Sequence, residues 1–103
     1  MDFRVELSFT AERELNEIIE FFISEYDNHQ LAERFYTTVR QKISNIEFNP
    51  FGYPRCLNEA LFKKGYRYII VGKYLILYVI DEKNFLVTVR HIIYGGCNLN
   101  TID

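Results

Sequence analysis

Two prolines and five glycines in 103 residues are too few for a collagen-like or low-complexity chain. Two cysteines, Cys56 and Cys97, are no disulfide framework. One bridge is all they could form, and in a cytosolic chain they are expected to stay reduced. Two histidines, His29 and His91, exclude a His-rich metal site, and their spacing with the cysteines matches no usual zinc pattern. No apolar run approaches the roughly 18–20 residues that span a membrane. The start, Met1 to Glu6, lacks the basic and apolar regions of a secretory signal, so the expected location is the cytoplasm and no membrane partner is expected. Gly-rich phosphate loops, CxxC pairs, HExxH, GxSxG and EF-hand spacings are all missing. No cofactor, metal or small-molecule ligand is expected.

What the chain does have is apolar material. Hydrophobic residues make up 49%, and 8 Tyr and 9 Phe supply large side chains, enough for one core in one domain over residues 1–103. The net charge of −2 hides an asymmetry. Residues 1–50 hold five basic against ten acidic residues, and residues 51–103 hold seven against four. That contrast fits either an anion-facing C-terminal half or two solvated faces of opposite tint. A pI near 5.7 does not describe an indiscriminate nucleic-acid binder.

Phe3, Val5 and Leu7 alternate with Arg4, Glu6 and Ser8, the period of a half-buried strand. Ser8 stands where a helix N-cap belongs, and Leu15, Ile18, Ile19, Phe22 and Ile23 recur at helical spacing. A first helix is predicted from about Thr10 to Tyr26. Asp27 and Asn28 should end it and cap a second, whose stripe reads Leu31, Phe35, Val39, Ile43 and Ile46 up to the Asn49-Pro50 stop. Two such helices with so short a link form an antiparallel hairpin, and a sheet must cover their stripes. Residues 50–65 read as the longest connection and the most mobile element. Tyr66–Val71 and Tyr74–Ile80 flank Gly72-Lys73, a loop suited to a type II′ hairpin turn. Asp81 to Asn84 makes the next turn, Phe85–Tyr94 the last strand, and the tail from Cys97 is polar enough to fray. The fold class is therefore α+β, ordered β-α-α-β-β-β, with the helix hairpin packed on a small, mainly antiparallel twisted sheet.

Simple alternation puts Arg67, Ile69 and Val71 on one face of their strand. On the last strand it groups Phe85, Val87, Val89, His91 and Ile93, and opposite them Leu86, Thr88, Arg90, Ile92 and Tyr94. One sheet face must meet the helices, and the other is expected to be free for a partner. The carboxylate pairs Glu12/Glu14 and Asp81/Glu82 read as solvated, and His91 reads as a hydrogen-bonded structural histidine.

Several phrases in this order resemble a known family. Val5-Glu6-Leu7-Ser8 with Ala11-Glu12-Arg13-Glu14-Leu15 and Ile18-Ile19 is similar to the opening of RelE/ParE toxins. Ala32-Glu33-Arg34-Phe35 resembles the start of that family's second helix, and Asn49-Pro50 with Gly52 and Pro54 its proline–glycine loop. Tyr66-Arg67, then Val71-Gly72-Lys73-Tyr74 through Tyr78, resembles its central hairpin. The resemblance spans roughly residues 3–98.

It implies a toxin of a type II toxin–antitoxin pair, neutralised by a cognate antitoxin protein. RelE-like members cleave ribosome-bound mRNA, whereas ParE-like members poison DNA gyrase. The uninterrupted helix hairpin and the Val71-Gly72-Lys73-Tyr74 phrase look more like the ParE and plasmid-stabilisation side. The ending Tyr94-Gly95-Gly96-Cys97 lacks an arginine that many members carry after the glycine. Growth inhibition by binding a macromolecular target, DNA gyrase, is therefore the first reading. An endoribonuclease is the alternative, and Arg67, Arg90 and Tyr94 would then be its catalytic residues. Arg67 and Tyr94 are carried by the resemblance, and Arg90 by the face it shares with Tyr94. Arg67 could equally pair with Glu59 or lie along the sheet edge. A non-toxic binding module is a third reading. Antitoxin contact is expected at Phe21, Tyr26, Tyr36 and Phe62, which stand outside or at the margins of the helix stripes.

Overall fold

The structure, a computed structural model, describes residues 3–102; Met1, Asp2 and Asp103 lie outside the described residues. Strand β1 (Arg4–Leu7) leads into helices α1 (Phe9–Tyr26) and α2 (His29–Ile46), and a short helix α3 (Glu59–Lys63) precedes the strands β2 (Arg67–Val71), β3 (Tyr74–Asp81) and β4 (Leu86–Tyr94). The sheet order is β1-β4-β3-β2. The last three strands form an antiparallel meander, and β1 joins β4 in parallel. This is the α+β arrangement that the periodicities predict.

Local chemistry sets the element ends. The Ser8 hydroxyl accepts the Ala11 N–H at 3.0 Å, capping α1. Asp27 takes up the left-handed conformation at φ 47°, which a short polar side chain tolerates, and the Asp27 and Asn28 N–H groups both turn back to the Phe22 carbonyl. Asn28 then caps α2 by accepting the Leu31 N–H at 2.9 Å. At the β2–β3 turn Gly72 sits at φ +59° while Lys73 keeps a negative φ, the pattern of a glycine-first type II′ turn. β4 begins at Leu86 rather than Phe85, because Phe85 stands at φ +50° and so cannot be extended.

The helix stripes close one face of the sheet. Leu15, Phe22, Phe35, Val39, Ile43 and Ile46 pack against Ile69, Val71, Ile76, Tyr78, Val87, Val89 and Ile92. The opposite face is not free, contrary to expectation. Residues 50–65, read as a mobile loop, hold a 3-10 turn at Pro50–Gly52 and α3, and Cys56, Leu61 and Tyr66 are buried with Leu77 in a second core. Leu99 and Ile102 of the tail, expected to fray, pack on it too. The isolated apolar residues of these stretches, too irregular to show a period, become legible once the sheet lies beneath them. Ile76, Leu77 and Tyr78 are consequently buried from both sides.

Alternation fails once, on β4. Val89 pairs with Tyr78 and His91 with Leu77, so Arg90 is an inserted residue without a partner on β3. The grouping of His91 with Val87 and Val89 is therefore corrected. Beyond the bulge Ile92 joins the helix-side core, while Ile93 belongs to the second core and His91 pairs with Leu77 there. Thr88 and Tyr94 do not share a face either, since Thr88 pairs with Val79 and Tyr94 with Tyr74.

Candidate functional site

β1 stops pairing with β4 at Val89, so β4 beyond the bulge has an open edge. Residues of α1 and its cap close the first part of it. Ser8 donates its hydroxyl to the Arg90 carbonyl at 3.0 Å. The Glu14 carboxylate accepts the Ile92 N–H at 3.1 Å and lies 3.2 Å from His91 Nδ1. Glu14 was expected to be solvated; its side chain is only 17% exposed, because the strand edge supplies a donor that water would otherwise satisfy. His91 is a hydrogen-bonded residue, as anticipated, and its ring also lies near that of Tyr66, at 6.5 Å. Nothing near Glu14 in sequence signals this contact with a strand 77 residues away.

Farther along, the gap between the helix hairpin and the ends of β3 and β4 is an open groove of about 1170 Å³. Its wall is aromatic. Phe22 and Tyr74 meet edge to face at 5.9 Å, Phe35 and Tyr74 at 5.1 Å, and Tyr74 and Tyr94 at 6.0 Å. Tyr26 extends this wall, 6.4 Å from Phe22 and 5.4 Å from Phe21. The register that pairs Tyr74 with Tyr94 brings these rings together, and it depends on the Arg90 bulge. Sequence alternation alone did not pair these rings.

The three residues put forward for RNA cleavage are not gathered into one site. Arg67 extends on the helix side, where Nη1 donates to the Tyr53 carbonyl at 2.6 Å and, more weakly, to the Phe51 carbonyl at 3.4 Å. Its guanidinium also lies over the Phe51 ring at 5.5 Å. It does not pair with Glu59, which instead binds Lys63. Arg90 is exposed at the bulge. Tyr94 is 54% exposed at the groove, in the row of Tyr74 and Val71. Arg67 belongs to the row of Tyr78 and Val89, four residues away along β2 and so roughly 13 Å distant. Phe21, Tyr26, Tyr36 and Phe62 are all exposed, as expected. Phe21 and Tyr26 line the groove, Tyr36 packs with Arg40 on α2, and Phe62 is stacked under Arg55 at 4.0 Å on the opposite side of the sheet.

The profile of the ParE toxin of type II toxin-antitoxin systems, parDE, matches residues 5–96 of the chain. The chain belongs to this family. That stretch takes in the helix hairpin, the loop that holds Arg67 and the whole meander. Among solved structures, this ParE-family chain is similar to the crystal structure of the toxin-antitoxin complex RelBE2 from Mycobacterium tuberculosis, at 20% identity. The likeness covers 91% of this chain and 99% of that one with a TM-score of 0.65, and shows the shared fold. No curated protein matches the chain. Among the described residues no helix of the ParE-family protein is long and apolar enough to cross a membrane.

Proposed function

We propose that this toxin is held inactive by a cognate antitoxin protein and that, once released, it stops growth by binding DNA gyrase. The observation that carries the reading is the ParE family match over residues 5–96, which reaches both long helices and all four strands. The solved RelBE2 complex, in which a chain of this fold is found with its antitoxin, supports the antitoxin half.

Site chemistry supports binding over cleavage. An RNA-cleaving site needs a base near the 2′-hydroxyl and cations close to the developing phosphorane charge. Arg67 is committed to the carbonyls of Tyr53 and Phe51, and Tyr94 stands at the other end of the sheet. Inducing the protein in cells separates the readings. The expected result is growth arrest with loss of gyrase-dependent supercoiling and intact ribosome-bound mRNA, relieved by co-expressing the antitoxin. Cleaved mRNA with normal supercoiling would overturn the gyrase reading, and unimpaired growth would leave a binding module.

A further inference from the structure

Past Tyr94 the chain leaves the sheet and folds back over the second core. The Gly95 N–H donates to the Lys73 carbonyl at 2.8 Å, and the Cys97 N–H closes a turn onto the Tyr94 carbonyl at 3.1 Å. Gly96 is not at positive φ; it is needed for room, since a Cβ there would come within 2.5 Å of the Tyr94 ring. Beyond Cys97, every backbone–backbone hydrogen bond among the described residues is internal to the segment. The Thr101 N–H donates to the Asn98 carbonyl and the Ile102 N–H to the Leu99 carbonyl, both at 3.3 Å. The Asn98 side chain accepts the Asn100 N–H at 3.0 Å, and the Thr101 hydroxyl returns to the Asn98 carbonyl at 2.8 Å. The segment is attached to the rest of the protein through side chains. Leu99 and Ile102, both only half-buried, pack on the second core. Two exposed hydrogen bonds add to this, from Asn58 to the Asn100 side chain at 3.0 Å and from Lys64 to the Ile102 carbonyl at 3.4 Å.

A segment that keeps its hydrogen bonds to itself can lift without stranding a backbone group of the sheet. Few buried apolar contacts then oppose the movement, which puts it at the low end of local stability. Cys97, Thr101 and Ile102 also line the groove, and Ile102 packs on the second core as well. One movement therefore removes part of the groove wall, frees the Tyr94 ring from Gly96 and uncovers the second core. We propose that residues 97–102 form a strap, hinged at Gly95-Gly96, that opens while the rest of the protein stays folded and so joins the state of the groove to that of the second core. The inference uses only the geometry of the tail, and its failure leaves the toxin reading standing.

The test uses the full chain without any partner. Cys56 is the probe, because it is buried in the core on which the strap packs and burial pushes its thiol up. Cys97→Ser leaves it as the single thiol, and its labelling by an aromatic disulfide reagent is followed against urea. The expected rate exceeds that of global unfolding and changes little at low urea, since strap opening exposes little surface. Leu99→Ala with Ile102→Ala should speed labelling about tenfold or more. Asn100→Ala removes only an exposed hydrogen bond, so it tests the strap even where the double variant fails to fold, and should speed labelling about threefold. Fluorotyrosine NMR, with Tyr94 assigned by Tyr94→Phe, should show a second Tyr94 signal that grows in step with the labelling rate. Labelling that tracks global unfolding at every urea concentration, or rates unmoved by these variants, would overturn the proposal. So would faster labelling beside an unchanged Tyr94 signal, because the groove and the second core would then move separately.

Discussion

Tyr78 brings a phenol into the interior and finds one acceptor there, the Pro50 carbonyl at 2.6 Å. Tyr78→Phe should cost about 1–2 kcal/mol in denaturant titration, because the buried carbonyl loses its donor. Burial, reinforced by Tyr53 and only partly offset by Arg67, pushes this phenol well above its ordinary value. The fold therefore holds the neutral form. Its contribution is fully present below the unfolded value of about 10 and is lost as pH rises from there toward the folded value. Between about pH 10 and 12 the wild type should lose stability more steeply than Tyr78→Phe. Glu14 supports a different prediction. Glu14→Ala strands the Ile92 N–H at the strand edge and should cost about 1–3 kcal/mol, whereas Glu14→Gln keeps an acceptor and should cost less. Arg67 joins two carbonyls through Nη1 and lays its planar guanidinium over a ring, and a lysine cannot reproduce that planar contact. Arg67→Lys should lower stability by about 1 kcal/mol. Lost toxicity at unchanged melting temperature would contradict this structural role.

At the scale of elements, the β2–β3 hairpin depends on Gly72. Its positive φ suits glycine, and the space around its missing Cβ is empty, so Gly72→Ala meets backbone strain and no collision. The expected loss is about 1 kcal/mol, read from the shift of the denaturation midpoint. The hairpin, both long helices and their caps were legible in the sequence because each rests on contacts within a few residues. Ser8, Asn28 and Gly72 act locally, and local chemistry leaves a local pattern. The bulge at Arg90 does not. It appears only when β3 and β4 are laid side by side, and a residue inserted there moves His91 and Ile92 to the opposite faces from those that alternation assigns. Glu14 was misplaced for a related reason. Its partner is an N–H left unpaired because β1 ends at Leu7, a fact about strand length rather than about α1. Residues 50–65 hid their order in the same way, since Cys56 and Leu61 have a reason to be apolar only above Leu77.

The molecule as a whole is a sheet with a core on each face and an aromatic groove at one end. The order of its main elements and the face covered by the helices follow from periodicity, capping and turn chemistry, and the family follows from phrases spread over the same residues. The groove does not, because its walls come from α1, α2, the ends of β2, β3 and β4 and the tail, and converge only in the assembled structure. The two halves of opposite charge each give it one cation, Arg34 from the acidic half and Lys73 from the basic one. Arg67, Arg90 and Tyr94 stand apart on the sheet, which supports the proposed binding of a target over cleavage by these three residues. The most direct measurement of that account is DNA supercoiling by purified gyrase, titrated with the purified protein. Inhibition of supercoiling, with ribosome-bound mRNA left whole by the same preparation, is the predicted result. Unimpeded supercoiling beside cleaved mRNA would contradict it.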